Sequence, residues 1–351
     1  MRGAYNWAGG IENGAGRCLI KQMRKLLCSA VALASLSTIS SGQPITETFG
    51  SGANAFTMDF VEIGNAGNAP DSTGNPSPVG SVGHVYSIGK YEVSRGMIEK
   101  ANAEGALGIS LSDMSEYGGN GINRPATGVS WNEAAKFVNW LNTSKGFHPA
   151  YLFLGSGPNN SVEPNDNISL WAVGQYNGSN QYRHKDAYYF LPSVDEWYKA
   201  AYFDPYKASG AGYWNYPTSS DSAPVAVRNG TTAGTAVYLG NSWPGSPADI
   251  YEAGGLSPYG TMGQGGNVWE WNESARDGTN NESAEERVVR GGAYNTSTAI
   301  DDLNAFNKTG DGPFVGHSTL GFRIASVPEP SSLTLLALGG VVVALRRRKQ
   351  A

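Results

Sequence analysis

Thiols are all but missing from this 351-residue chain: its two cysteines, Cys18 and Cys28, both precede the stretch with a globular pattern. The globular part therefore offers no disulfide, no cysteine-ligated zinc and no thiol nucleophile. Charge is scarce too. Asp, Glu, Lys and Arg make up 16% of the residues and the net charge is −5. No basic stripe crosses the body of the chain, which argues against nucleic acid as a partner. Four histidines, His84, His148, His184 and His317, are scattered without an i, i+4 pair. A Gly-x-Ser-x-Gly elbow, a P-loop and a dinucleotide fingerprint are all absent. The 47 glycines follow no G-X-Y period, so a collagen-like chain is excluded.

What is present divides into two addresses and a body. From Met23 the chain runs through Arg24 and Lys25, an apolar stretch from Leu26 to Ile39, and the small-residue exit Ser40-Ser41-Gly42. That is the layout of a secretory signal peptide. The Gly- and Asn-rich residues before Met23 do not belong to it, so Met23 is the expected start, an extended n-region being the alternative. Cys28 sits too early in the apolar run to be a lipobox cysteine.

At the other end, Val327-Pro328-Glu329-Pro330 precedes an apolar stretch from Leu333 to Leu345 and the basic cluster Arg346, Arg347, Arg348 and Lys349. The stretch is shorter than the roughly 20 residues that span a bilayer comfortably. The basic cluster would hold its end on the cytoplasmic side and leave the body outside. These three features in this order resemble the PEP-CTERM sorting signal. The resemblance implies an exported protein of the cell envelope, at least transiently membrane-anchored, whose tail is processed by an exosortase-type protease. A simple tail anchor gives the same topology. The expected organisation is a signal segment at 1–42, one globular domain at 44–326 and a sorting tail at 327–351.

Within the body, Phe56 to Ile63 alternates like a strand, and residues 64–80 read as a Gly/Asn/Pro-rich loop. Arg95 to Ala101 is a first helix. Two further helices carry capping boxes, Ser130 with Glu133 and Ser193 with Glu196, in which hydroxyl and carboxylate satisfy orphan N–H groups reciprocally. Trp131, Ala134, Ala135, Val138 and Leu141 then mark one buried face, and Trp197, Ala200 and Ala201 the other. Long stretches at 142–188 and 205–262 lack periodicity, as loops with a function or a bound ion do. Strands return at Gly265–Trp271, Arg287–Tyr294 and Leu320–Ala325.

The ordered motifs GVSWNEAAKFVNWLN, LPSVDEWYKAAYF, SPYGTMGQGGNVWEWNES, RVVRGGAYN and LGFRIAS resemble the formylglycine-generating enzyme / sulfatase-modifying-factor family over about residues 55–326. The resemblance implies an α+β fold, irregular and loop-rich, related to C-type lectins and held in part by calcium. By the same resemblance the carbonyls of Gly266 and Val268 and the carboxylate of Glu270 are calcium ligands, suiting the mixed oxygen donors that calcium takes. Trp269 and Trp271 flank Glu270, so strand alternation points its carboxylate away from their face. A further Asn or Asp ligand of the family is missing, because that position is Gly263. A second calcium site would use Glu252.

Where the family's catalytic members carry two copper-binding cysteines, this chain has Thr296 and Asp301. Neither is a soft ligand for copper(I), so copper is not expected and a sulfatase cysteine should not be oxidised. The leading expectation is a binding domain without catalysis, for a glycan or an exported protein partner at the cell surface, in an exopolysaccharide setting. Loop aromatics Trp171, Tyr182, Tyr213, Trp214, Tyr216 and Trp243 could stack on sugar rings or could simply pack on one another. The alternative is a metal- or oxygen-dependent oxidoreductase of the same superfamily, two histidines and a carboxylate forming a rearranged site.

Overall fold

Alternation in Phe56–Ile63 does what it predicts: Phe56, Met58 and Phe60 turn into the core while Thr57 and Glu62 face out. The computed structural model describes residues 44–153, 168–176, 178, 180–238, 245–296 and 300–328. The signal segment, most of the sorting tail and Trp243 lie outside the described residues.

In chain order the first strands are β1 (Ile45–Phe49), β2 (Phe56–Ile63), β3 (Tyr86–Gly89), β4 (Leu152–Phe153), β5 (Ile168–Ser169) and β6 (Tyr189–Phe190). Then come β7 (Phe203–Asp204), β8 (Gly212–Tyr213), β9 (Val225–Ala226) and β10 (Thr235–Ala236). The last are β11 (Trp269–Ala275), β12 (Arg287–Arg290), β13 (Thr309–Asp311), β14 (Leu320–Phe322) and β15 (Ala325–Ser326). The α-helices among the described residues are α1 (Arg95–Gly105), α2 (Trp131–Ser144) and α3 (Val194–Tyr202).

Two sheets organise these pieces. One runs β1-β2-β3-β15-β6 with every neighbour antiparallel, and the other runs β13-β12-β11-β14. In the second, β11 pairs antiparallel with β12 but parallel with β14, with Trp269 opposite Leu320 and Trp271 opposite Phe322. The remaining strands form two-residue pairs in the long loops. This is an α+β architecture, as the motif order implies.

Helix termini follow local chemistry. Ser130 accepts from the Glu133 N–H (3.2 Å) and Glu133 accepts from the Ser130 N–H (2.9 Å). Ser193 and Glu196 repeat the arrangement at 3.2 and 2.8 Å. Both boxes are those expected from the sequence. The first helix runs to Gly105, four residues beyond the expected Ala101, and stops where Ala106 turns left-handed at φ 49°.

The core sits around α2. Trp131, Ala134, Ala135, Val138 and Leu141 are completely buried, as is Phe137 on the next row. Trp131 and Trp271 lock α2 to β11 by exchanging hydrogen bonds. The Trp131 indole donates to the Asn272 carbonyl (2.9 Å) and the Trp271 indole donates to the Val129 carbonyl (3.0 Å). Each apolar side chain of this size contributes roughly 1.5–3 kcal/mol on burial.

Candidate functional site

The polar centre of the domain lies where the Gly265–Trp271 and Leu320–Ala325 motifs meet. Strand alternation does turn Glu270 away from the flanking tryptophans, but both faces of β11 are covered, so the carboxylate ends fully buried rather than toward a solvent-filled loop. Arg323, also fully buried, reaches it with two N–H groups: Nε to one oxygen and Nη2 to the other, each at 2.6 Å. The Trp197 indole donates to the first oxygen as well, at 2.7 Å. The remaining Arg323 donors go to the carbonyls of Gly89 (2.9 Å), Lys90 (3.4 Å) and Met262 (2.8 Å). The guanidinium thereby ties the loop between β14 and β15 to the end of β3 and to the loop before β11.

Beside this pair lies a second buried carboxylate that the sequence did not single out. Glu92 accepts from the Asn267 amide (2.6 Å) and the Val268 N–H (3.3 Å). Burial first, and then the neighbouring Glu270, push its carboxyl well above the usual range, against the pull of Arg323. Gly263 explains its room: a Cβ there would meet the Glu92 carboxylate at 3.0 Å.

Gly266, Val268 and Glu270 are brought together, but the cation facing Glu270 is the Arg323 guanidinium, and both carboxylate oxygens are engaged. Gly266 adopts φ 87° and a Cβ would strike the Val237 carbonyl oxygen at 2.2 Å, so glycine is required there by backbone approach. Calcium takes six to eight oxygens facing one point, and the two Glu270 carboxylate oxygens face the Arg323 guanidinium. Glu252 is exposed, and no cluster of three His, Cys, Asp or Glu side chains lies among the described residues.

Thr296 and Asp301 do not face one another through their side chains. The Thr296 hydroxyl, in a residue 7% exposed, accepts from the Ala293 N–H (3.1 Å) and donates to Asp302 (3.3 Å). The 3-10 turn Ile300–Leu303 carries Asp302 inward and leaves Asp301 exposed. The Asn307 amide binds the other Asp302 oxygen at 2.9 Å. The histidines of the alternative reading find other partners. His148 and His184 stack face to face at 3.4 Å against Trp171, His84 meets Glu196 at 3.0 Å, and His317 meets Asp311 at 2.9 Å. Parallel stacked rings direct their nitrogen lone pairs side by side instead of toward one ion.

Of the two roles open to the loop aromatics, stacking on sugars or packing within the protein, the described ones are engaged in packing. Trp171, Tyr182 and Tyr216 are buried, while Trp214 donates to Asp204 (3.0 Å) and lies under Lys207. Tyr213 is half-buried against Tyr198 and Phe203. These rings pack against their own surroundings, Trp171 on His148 and His184 and Tyr216 on Ala236 and Leu303, because long loops hold together only by burying their apolar groups. An exposed tyrosine stands elsewhere, at Tyr251, 43% exposed and edge-on to Tyr91 at 4.8 Å.

Tyr251 overhangs a cleft of about 430 Å3 between β2, the start of α1 and the loop at Ile122-Asn123. A small chamber of about 20 Å3 shares its walls at Thr57, Met97 and Tyr251 and continues inward to Asp59 and Glu92. The cleft thus descends from the surface toward the buried polar centre. Only a residue-by-residue reading of exposure distinguishes Tyr251 from the other loop aromatics, since its flanking sequence has no special pattern.

A third charged cluster, Arg183 between Glu196 (3.8 Å) and Glu273 (3.5 Å), is structural. Burial alone would raise the Glu196 carboxyl. Arg183, His84 and the Ser193 N–H together outweigh it and hold the carboxyl at about 2, against an ordinary 4.5. Glu273 shifts the other way, because burial dominates there. A depressed carboxyl contributes stability above its unfolded value that is lost as pH falls toward the folded one. For Glu196 this amounts to about 3 kcal/mol disappearing between pH 4.5 and 2. Glu273, raised by burial, acts in the opposite sense but above pH 4.5, outside this window. Thermal unfolding across that window should show a steeper loss for the wild-type chain than for Glu196→Gln; equal slopes would contradict the assignment.

The fold and the Gly265–Trp271 centre define a class: a sulfatase-modifying-factor domain, with the buried Glu–Arg pair at its heart. The family model described as "Sulfatase-modifying factor enzyme 1-like domain" matches residues 53–327, and the chain belongs to that family. The PEP-CTERM protein-sorting motif matches residues 326–349, which marks the protein for export and cell-envelope sorting by an exosortase-type system. Among solved structures, the chain is similar to Treponema denticola variable protein 1, with 20% identity, 82% of this chain and 100% of that one covered, and a TM-score of 0.50. It is also similar to CarF, with 16% identity, 78% and 99% coverage, and a TM-score of 0.51. At such identities the likeness is one of fold. No curated protein matches the chain.

Proposed function

We propose that this protein is a binding member of its family, displayed at the cell envelope, which recognises a glycan or an exported protein partner and does not oxidise cysteine. The observation that carries this reading is Thr296. At the first of the two positions where the family resemblance puts a copper thiolate, a hydroxyl is tied to Asp302 and the Ala293 N–H, and the chain has no cysteine beyond residue 28. The family's oxygen-activating copper(I) centre uses two thiolates, and the body of the chain has no cysteine to supply them. The apolar segment 333–345 with its basic end would hold the chain at the membrane until the tail is processed, leaving the domain outside.

The test is direct. Full-length protein incubated with copper(I), oxygen and a cysteine peptide from a sulfatase should yield no aldehyde by mass spectrometry. Formylglycine formed catalytically would sink the reading.

A further inference from the structure

We infer that the cleft beneath Tyr251 is a subsite for a neutral or amino sugar unit of a polysaccharide; this rests on the binding reading above and names its ligand class. Three properties of the cleft point that way. Its volume, about 430 Å3, falls within the range of small-ligand sites and suits one or two pyranose rings. Its outer wall is an aromatic side chain held in place: Tyr91 meets Tyr251 edge-on at 80°, which fixes the Tyr251 ring while leaving it 43% exposed. A fixed ring offers a flat π-face to the CH face of a sugar with little ordering cost. Around it, the exposed groups are a planar amide and hydroxyls, Asn123, Thr48 and Thr57, which match the alternating donors and acceptors of sugar hydroxyls.

Charge narrows the class. The lysine lining the cleft, Lys100, gives its ammonium to the Ala55 carbonyl at 2.7 Å. Arg124, next to Asn123 in the chain, is paired with Asp249 at 3.3 Å. Facing the opening are the carboxylates of Glu99 and, in the inner chamber, Asp59, which accepts from the Thr46 hydroxyl at 2.6 Å. Lys100 keeps its charge on the neutral Ala55 carbonyl, but among the described residues lining the cleft and its inner chamber the carboxylates of Glu99 and Asp59 outnumber this one ammonium, so a uronate or sulfated unit is disfavoured relative to a neutral hexose or a glucosamine.

The experiment uses the full-length protein and four probes: cellotetraose, mannotetraose, chitosan tetramer and tetragalacturonate, titrated calorimetrically. At least one neutral or amino tetramer should bind, Tyr251→Ala should weaken it about tenfold, and Tyr251→Phe should retain it, because the ring and not the hydroxyl supplies the contact. Asn123→Ala should weaken binding in the same direction, and tetragalacturonate should bind more weakly than that tetramer. Since Tyr251 and Asn123 are surface residues, their loss leaves the fold intact, which thermal unfolding verifies. Equal affinity for wild type, Tyr251→Ala and Asn123→Ala would overturn the cleft while leaving the binding reading in place. Preference for tetragalacturonate would overturn the charge argument. Silence from all four probes would overturn the sugar assignment and leave a protein partner as the occupant of the broader reading, which fails separately in the peptide-oxidation assay.

Discussion

Replacing Arg323 by alanine should cost about 3–5 kcal/mol, most of the stability a domain ordinarily has. The size follows from what is left behind. Glu270 would keep the Trp197 indole but lose both short contacts to the guanidinium, leaving a carboxylate in a site with no exposure. The carbonyls of Gly89 and Met262 would lose this donor as well, while the Lys90 carbonyl would keep the Met262 N–H. Glu270→Leu should be similarly damaging, because it strands the cation. The double replacement Glu270→Leu with Arg323→Met removes both charges and should recover part of the loss, though not the carbonyl contacts. Urea unfolding followed by tryptophan fluorescence measures all three. Single replacements costing under about 1 kcal/mol would show that the pair is solvated and that the centre is not closed.

Gly266→Ala should be the most damaging glycine substitution in the stretch from Ser257 to Trp271, and Gly260→Ala supplies its control. The two residues have nearly the same backbone, φ 87° and 90°, so each pays the left-handed penalty of about 1–3 kcal/mol. They differ in surroundings. An added Cβ at Gly260 meets nothing within 4 Å, whereas at Gly266 it meets the Val237 carbonyl oxygen at 2.2 Å, a backbone atom that cannot rotate away. The Gly266 variant should therefore exceed the Gly260 variant by roughly 1–3 kcal/mol of overpacking in chemical denaturation. Equal losses would mean that the Val237 segment yields freely.

The contrast between local and distant pairing explains what could be read from the chain in advance. Both capping boxes are spelled out within four residues, so Ser130 with Glu133 and Ser193 with Glu196 are legible without any tertiary knowledge. The Phe56–Ile63 alternation is legible for the same reason. Glu270 is different. Its neighbours announce which way it points, but its partner lies 53 residues on, and nothing in the spacing says that a guanidinium takes both of its carboxylate oxygens. Glu92 is more distant still, 175 residues from Asn267. The choice between Asp301 and Asp302 turned on a single 3-10 turn, whose rotation per residue decides which carboxylate reaches Thr296. Loop aromatics stayed undecided for a physical reason: a Trp or Tyr in an irregular segment has no periodic signal to show whether it faces inward, and Trp171 packs against two histidines that the sequence leaves unassigned.

The placement of β15 bears on how the protein matures. Its two residues, Ala325 and Ser326, are sandwiched between β3 and β6, and Val327 then donates to the Tyr188 carbonyl. A translocating polypeptide cannot close its larger sheet until this final segment has crossed, and the sorting motif begins at residue 326. A product truncated before residue 325 therefore emerges with the gap between β3 and β6 unfilled.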